Sequence, residues 1–262
     1  MNKILPVPFR SHQLWDCCVC YVLSPNNIYP GYQLYGYMVV VGIDNTFDSE
    51  IEGHWQHGVR GLIVNRRIRN TYRAAGATLL VAVIEPASSW GRKFASVLGK
   101  KPCVRIEDVF SNGFDISLLS VGFDSLERNA VIAQIERFFD TFVDQQPEPR
   151  NQVPDERIHF TLTFIENNIG ETIELATIAD LIHLSPERVR HLFTEKVGIP
   201  FTKYILWRRL RKVIYAVATK QMRLNQAVSQ SGFTDQAHFN HVFKNIFGIS
   251  PKCFLQISSL IV

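Results

Sequence analysis

With 262 residues the chain is long enough for two domains that each bury a core, and at 46% hydrophobic and 20% charged residues it reads as neither disordered nor fibrous. No apolar run approaches the length of a membrane span and the start, MNKILPVPFRSH, has no extended apolar core of an export signal, so a cytoplasmic protein with no membrane partner is expected. The formal charge of +4 is uneven: residues 151–262 hold 13 Lys and Arg against 9 Asp and Glu, while residues 1–150 hold 15 of each, as expected for a nucleic-acid module joined to something else.

In chain order, residues 17–23, 33–43, 60–64 and 78–84 are rich in Val, Ile, Leu and Tyr and are separated by Pro, Asn, Gly and Asp, which predicts strands. Short strands at near-regular spacing favour a β-barrel or jelly roll of the cupin-like kind. A helix over 88–98 and a strand over 103–106 follow. Cys17, Cys18 and Cys20 cluster, with Cys103 and Cys253 far away. An odd total without a paired CxxC argues against a disulfide framework or a zinc finger and predicts reduced thiols. His54 and His57 in HWQH could ligate a metal, but no further ligands can be placed around them, so they are expected in a loop, and no cofactor is expected. Tyr35, Tyr37, Trp55 and Tyr72 would line inner faces, either as plain core or around a small organic molecule.

The stretch LERNAVIAQIERFFDTFV, from Leu126 to Val143, carries Val131, Ile135, Phe138 and Phe142 at spacings of four, three and four. That is an amphipathic helix whose stripe packs on its own domain or forms the seam of a homodimer. DQQPEPRNQVPDE, residues 144–156, holds three prolines and one large apolar residue, Val153, and reads as a linker. The domains expected are therefore 1–143 and 157–262, the second helical throughout.

Within the second domain, SPERVRHLFTEKVGIPFTKY from Ser185 lies over DQAHFNHVFKNIFGISPKCF from Asp235 after a shift of fifty residues. Val189 falls on Phe239, His191 on His241, Leu192 on Val242, Phe193 on Phe243, Gly198 on Gly248 and Tyr204 on Phe254. Each copy is an amphipathic helix with an apolar side and a polar open side. Ser185 with Pro186 opens the first, and Gly232 makes the turn before the second. Shorter helices, over 175–182 with Ala179 and over 224–231 with Ala227 and Val228, precede them. A helix of about 20 residues from Phe201 separates the copies, about 30 Å at the usual rise. One turn of B-DNA is about 34 Å, so two such helices could enter successive major-groove segments on one face.

These residues resemble the AraC/XylS-type transcriptional regulators, whose DNA-binding region is two helix-turn-helix units joined by a long helix. The resemblance covers residues 157–262 and rests on Ala179, Ser185, Phe193, Gly198, Tyr204, Arg209-Leu210, Gly232-Phe233, Asp235, His238-Phe239, Phe243-Lys244, Gly248 and Ser250-Pro251. The part before it is similar, through its strand pattern alone, to the family's cupin-like sensing and dimerisation domain. The resemblance implies a two-domain α+β chain that binds double-stranded DNA and is not an enzyme. It also implies a small-molecule effector, with RNA polymerase as a further partner.

It places base-reading residues at Glu187, Arg190, His191 and Thr194 in the first unit and at Gln236, Ala237, Asn240 and His241 in the second. The chemistry agrees in part: Arg190 suits guanine, Gln236 and Asn240 suit adenine, Glu187 suits cytosine N4, and the Ala237 methyl suits thymine. Arg209, Arg211, Lys244 and Lys252 are candidate phosphate contacts, Arg209 having a buried ion pair as its alternative. His191 and His241 stand where Arg is more usual in the family, so affinity is expected to rise as pH falls through the histidine range. Competing expectations are a metal cupin enzyme fused to a DNA-binding module, and a regulator whose barrel only dimerises.

Overall fold

The two strands with the longest β-branched runs form the middle of the first sheet. In the computed structural model, which describes residues 18–23, 28–32, 34–109, 133, 137–139, 141, 155–219, 222–247, 250–252, 254 and 258–260, they are β3 (Tyr37–Gly42) and β8 (Leu79–Ile84). Every residue of both is buried, as a strand covered on both faces requires. Around them, β1 (Cys18–Leu23), β6 (Gly61–Val64), β9 (Cys103–Arg105) and β10 (Ser258–Leu260) complete an antiparallel sheet in the order β10-β1-β8-β3-β6-β9. A second antiparallel sheet has the order β2-β7-β4-β5, built from β2 (Ile28–Tyr32), β4 (Phe47–Ile51), β5 (His54–Val59) and β7 (Asn70–Arg73).

Tyr37, Val39, Val41, Ile63, Leu80, Ala82 and Ile84 share one core with Trp90, Phe94 and Leu98 of α1 (Ser89–Leu98). Ser88 caps α1, its Oγ accepting the Gly91 N–H at 3.0 Å, and Gly99 ends it at φ +52° with its N–H on the Ala95 carbonyl. Phe138 and Phe139 are buried in the same core, Phe139 stacking on Trp90 at 4.8 Å between centroids. Phe138 of the predicted 126–143 stripe thus packs within its own unit, while Val131, Ile135 and Phe142 lie outside the described residues.

Three expectations change. The described strands form two open sheets and not a closed barrel. HWQH is β5, an edge strand rather than a loop. Trp55, expected on an inner face, is 40% exposed, whereas Tyr37 and Tyr72 are buried. The reason is visible on the outer side of β5. The Arg73 guanidinium lies 4.7 Å over the Trp55 ring, the His57 ring stacks beside it, and Asp48 receives His57 Nδ1 at 3.2 Å. Burial alone would raise the Asp48 pKa, but the Gly58 N–H, His57 and Arg73 outweigh it and hold the carboxyl below its ordinary range. Cys103 is a free, half-buried thiol whose Sγ accepts from Gln56 Nε2 at 3.3 Å.

The helices of the second half are α2 (Glu156–Asn167), α3 (Leu175–Leu181), α4 (Pro186–Val197), α5 (Phe201–Thr219), α6 (Leu224–Gln230) and α7 (Gln236–Phe247). The chain divides into two compact units, residues 1–149 with 243–262, and residues 150–242. The segment after α7 does not stay helical: β10 pairs antiparallel with β1, Leu260 opposite Tyr21 and Ser258 opposite Leu23. Most of the predicted linker lies outside the described residues. At its end Asp155 caps α2, accepting from the Arg157 N–H and side chain. These contacts, led by the Arg157 side-chain bond, pull the Asp155 pKa down from 3.8 to about 2.

Candidate nucleic-acid interface

The first helix-turn-helix, α3 and α4, is defined by its caps and small contact residues. Ser185 Oγ accepts the Arg188 N–H at 3.3 Å, Pro186 sits where no amide is needed, and Gly198 closes α4 in the left-handed conformation at φ +77°. Val189, Leu192, Phe193 and Val197 are buried along α4, and Ile178 and Ala179 along α3. Phe193 meets Phe201 and Tyr204 edge to face, each at 5.4 Å between centroids.

The second unit, α6 and α7, repeats this plan with side-chain sizes exchanged. Asp235 replaces Ser185 as the cap, its Oδ1 accepting the His238 N–H at 2.7 Å. Phe239, Val242, Phe243 and Phe247 are buried on α7, while Ala227 and Val228 on α6 stand for the larger-then-smaller pair Ile178 and Ala179. Phe243 and Phe254 lie 5.3 Å apart at 71°, against 5.4 Å and 68° for Phe193 and Tyr204, so the fifty-residue repeat extends to ring geometry.

The turns of the two units differ. Gly232 has φ +79°, and a Cβ there would sit 2.8 Å from both Arg209 Nε and the Ile169 carbonyl oxygen. In the first unit a non-glycine residue, His183, takes the positive φ of +54°. Arg209, from α5, donates to the carbonyls of Ile169 at 3.1 Å and Glu171 at 2.6 Å, and its burial lowers its pKa. It ties the loop after α2 to α5 through carbonyls, which corrects both its expected phosphate contact and its alternative ion pair. Arg208, beside it, pairs with Glu166 of α2.

Arg211 is also corrected as a phosphate contact. It is 1% exposed, on the buried side of α5 with Trp207, Leu210 and Ile214. The phase of the helix carries that signal in the sequence, since 207, 211 and 214 fall on one face. Lys244 and Lys252 are exposed and remain suited to phosphate.

Of the eight expected base readers, Glu187, Arg190, His191, Thr194, Ala237, Asn240 and His241 are exposed, while Gln236 is half-buried. Within α4, Glu187 pairs with Arg190 through Oε2 and with His191 through Oε1, the latter at 2.8 Å. Thr194 Oγ1 donates to the Arg190 carbonyl at 2.9 Å. Within α7, Gln236 Nε2 donates to Asn240 Oδ1 at 3.2 Å, and Gln236 Oε1 is buried without a hydrogen-bond partner. Gln236 therefore orients Asn240 in this conformation, with its own Oε1 turned inward. Among the described residues no group of three or more His, Cys, Asp or Glu side chains could hold a metal ion. No described helix is long and apolar enough to cross a membrane.

Residues 178–257 match the helix-turn-helix domain family. The arabinose operon regulatory proteins of Salmonella typhimurium and Escherichia coli are each 29% identical over 101 residues, 38% of this chain. The probable transcriptional regulator LumQ of Photobacterium leiognathi is 29% identical over 98 residues, 37% of this chain and 40% of LumQ. The chain spans 36% of the Salmonella relative and 35% of the Escherichia coli one. In fold, ToxT from Vibrio cholerae is similar over nearly the whole length. Apo ToxT gives a TM-score of 0.61 at 14% identity, covering 92% of this chain and 96% of its own. The helical half of the chain thus holds two helix-turn-helix units, α3 with α4 and α6 with α7, in a span that matches a helix-turn-helix domain and is similar to the arabinose operon regulators.

Proposed function

We propose that the chain is a sequence-specific DNA-binding transcriptional regulator, cytoplasmic and non-enzymatic, in which α4 and α7 each read a major-groove segment. The observation that carries this is the repeated unit itself. Two helices that each open on a side-chain N-cap, with the same buried positions and the same aromatic packing, flank a connector of 19 residues. At 1.5 Å per residue the connector is about 28 Å long, close to one duplex turn of about 34 Å. Base readout is assigned to Arg190, His191 and Thr194 in the first helix and to Ala237, Asn240 and His241 in the second. Lys244 and Lys252 supply phosphate contacts. Arginine pairs bidentately with guanine and asparagine with adenine, so Arg190 and Asn240 carry most of the discrimination.

The N-terminal sheets are proposed to sense a small organic effector. ToxT has been solved with an unsaturated fatty acid and with (E)-4-(8-methylnaphthalen-1-yl)but-3-enoic acid, which makes apolar carboxylic acids the first probes to try. RNA polymerase is the further partner a regulator would engage, and a homodimer through residues 126–143 is the assembly to test beside it.

Selection from randomised duplexes, followed by binding titrations across a salt series, tests the DNA reading. A defined consensus and a steep fall of affinity with salt are expected. Recovery of no consensus would remove it. Thermal shift with the carboxylic acids tests the effector: a ligand of the folded form raises the midpoint, and a flat series removes that class of effector.

A further inference from the structure

Three residues expected to read bases are joined to one another on the free protein. The Glu187 carboxylate accepts on both oxygens, Oε2 from Arg190 Nη1 and Oε1 from His191 Nε2. A carboxylate reading cytosine N4 needs an oxygen turned down into the groove, and here both are turned along the helix. The spacing dictates this, since positions three and four residues on share a face with Glu187. Glu187 engages Arg190 through Nη1, leaving the rest of the guanidinium fork for a guanine edge.

The second recognition helix uses the same device with different chemistry. Under the fifty-residue shift Asn240 takes the place of Arg190, and its Oδ1 is held by Gln236 Nε2 from one turn earlier. A reader positioned from the preceding turn is thus common to both units, carboxylate on guanidinium in one and amide on amide in the other.

We propose that Glu187 is a positioning residue that sets the specificity of α4: it orients Arg190 toward the base edge and withholds the Arg190 and His191 side chains from phosphates, and does not itself read a base. This rests on α4 being a DNA-reading helix. On a sequence without the matching guanine, Arg190 has nothing to replace its bond to Glu187, and the Glu187 charge faces the phosphates. On the matching sequence the guanine fork offsets both effects. Glu187 therefore weakens non-specific binding more than specific binding.

The test uses the full chain and compares wild type, Glu187→Gln, Glu187→Ala and Arg190→Ala. Each is titrated on the duplex selected by wild type, on that duplex with single base pairs replaced, and on a random duplex, over a salt series. Both Glu187 variants should bind the random duplex about threefold to tenfold more tightly, with the selected duplex changed by less than about threefold. Glu187→Ala should relax preference at the base pair whose preference Arg190→Ala abolishes. Glu187→Gln, which keeps an acceptor without the charge, should retain part of it.

Adding Glu187→Ala to Arg190→Ala should change nothing further at that pair. A Glu187→Ala variant that loses preference only at a different, cytosine-bearing pair would overturn the proposal, making Glu187 a base reader. Equal weakening on all duplexes with an unchanged salt slope would also overturn it, leaving a structural role alone. If wild type itself does not distinguish selected from random duplex, the DNA reading of α4 fails first, and the proposal falls with it.

Discussion

Gly232→Ala should be far more damaging than its single added methyl suggests. The residue sits at φ +79°, where an L side chain costs about 1 to 2 kcal/mol. The new Cβ would lie 2.8 Å from Arg209 Nε and from the Ile169 carbonyl, distances at which something must move. The backbone oxygen cannot give way cheaply, so the guanidinium must, and it then loses or weakens its bonds to Ile169 and Glu171. One charge-assisted bond contributes about 1.5 to 3 kcal/mol, which brings the expected cost to roughly 2 to 5 kcal/mol. Because the chain has two units, hydrogen exchange resolved by peptide is the suitable assay.

Amides of α6 and α7 should lose protection by about thirtyfold or more, since about 1.4 kcal/mol is tenfold, while residues 37–98 keep theirs. In an Arg209→Ala background the same change should cost only the φ strain and the clash with the Ile169 carbonyl. His183→Gly, at the equivalent turn of the first unit, should instead be neutral or stabilising by up to about 1 kcal/mol. Protection within twofold of wild type in Gly232→Ala would refute the steric reasoning.

Arg190→Ala and Asn240→Ala should each cost about 1 to 3 kcal/mol on the selected duplex and relax preference at one position, as read by repeating the selection. If either weakens all sequences equally, that residue does not read a base. Lys244→Ala and Lys252→Ala should each reduce the slope of log affinity against log salt by about one. Arg211→Ala should lower the melting temperature and leave that slope unchanged, because its side chain is inside α5's packed face. Asp155 has a folded pKa of about 2, below its ordinary 3.8, so its contribution is present above pH 3.8 and is lost as pH falls toward 2. Asp155→Ala should therefore destabilise α2 by about 1 kcal/mol near neutrality and match wild type in thermal melts at pH 2.

The helical half was legible because its signals are local. Ser185, Pro186 and Gly198 mark the ends of α4 within the chain itself, and the fifty-residue repeat independently fixes the phase of α7. The interiors of β3 and β8 were legible for the same reason, as continuous apolar runs. What escaped was non-local. β5 reads as a loop because HWQH has no apolar alternation; it becomes a strand through pairing with β4, Trp55 opposite Glu50. β2 contains Pro30 and Gly31, and its pairing with β7 carries an irregularity between Tyr29 and Tyr32, so its composition argues against a strand.

Arg209 depends on a loop 38 and 40 residues away in sequence, which no pattern in α5 encodes. Arg211 was different. Its buried phase between Trp207 and Ile214 was readable, but its charge type suggested phosphate first. The bonds among Glu187, Arg190 and His191 were likewise implicit in their spacing. The sequence suggested that each could read a base, while the structure shows the three held together.

The most direct test of the whole account is hydroxyl-radical and methylation-interference footprinting of a single chain on its selected duplex. Two contacted major-groove segments on one face are expected, with centres about 10 base pairs apart. Asn240→Ala should remove interference in one segment only, and Arg190→Ala in the other. A single contacted segment, or loss of both segments from either substitution, would contradict the assignment of α4 and α7 as two independent readers.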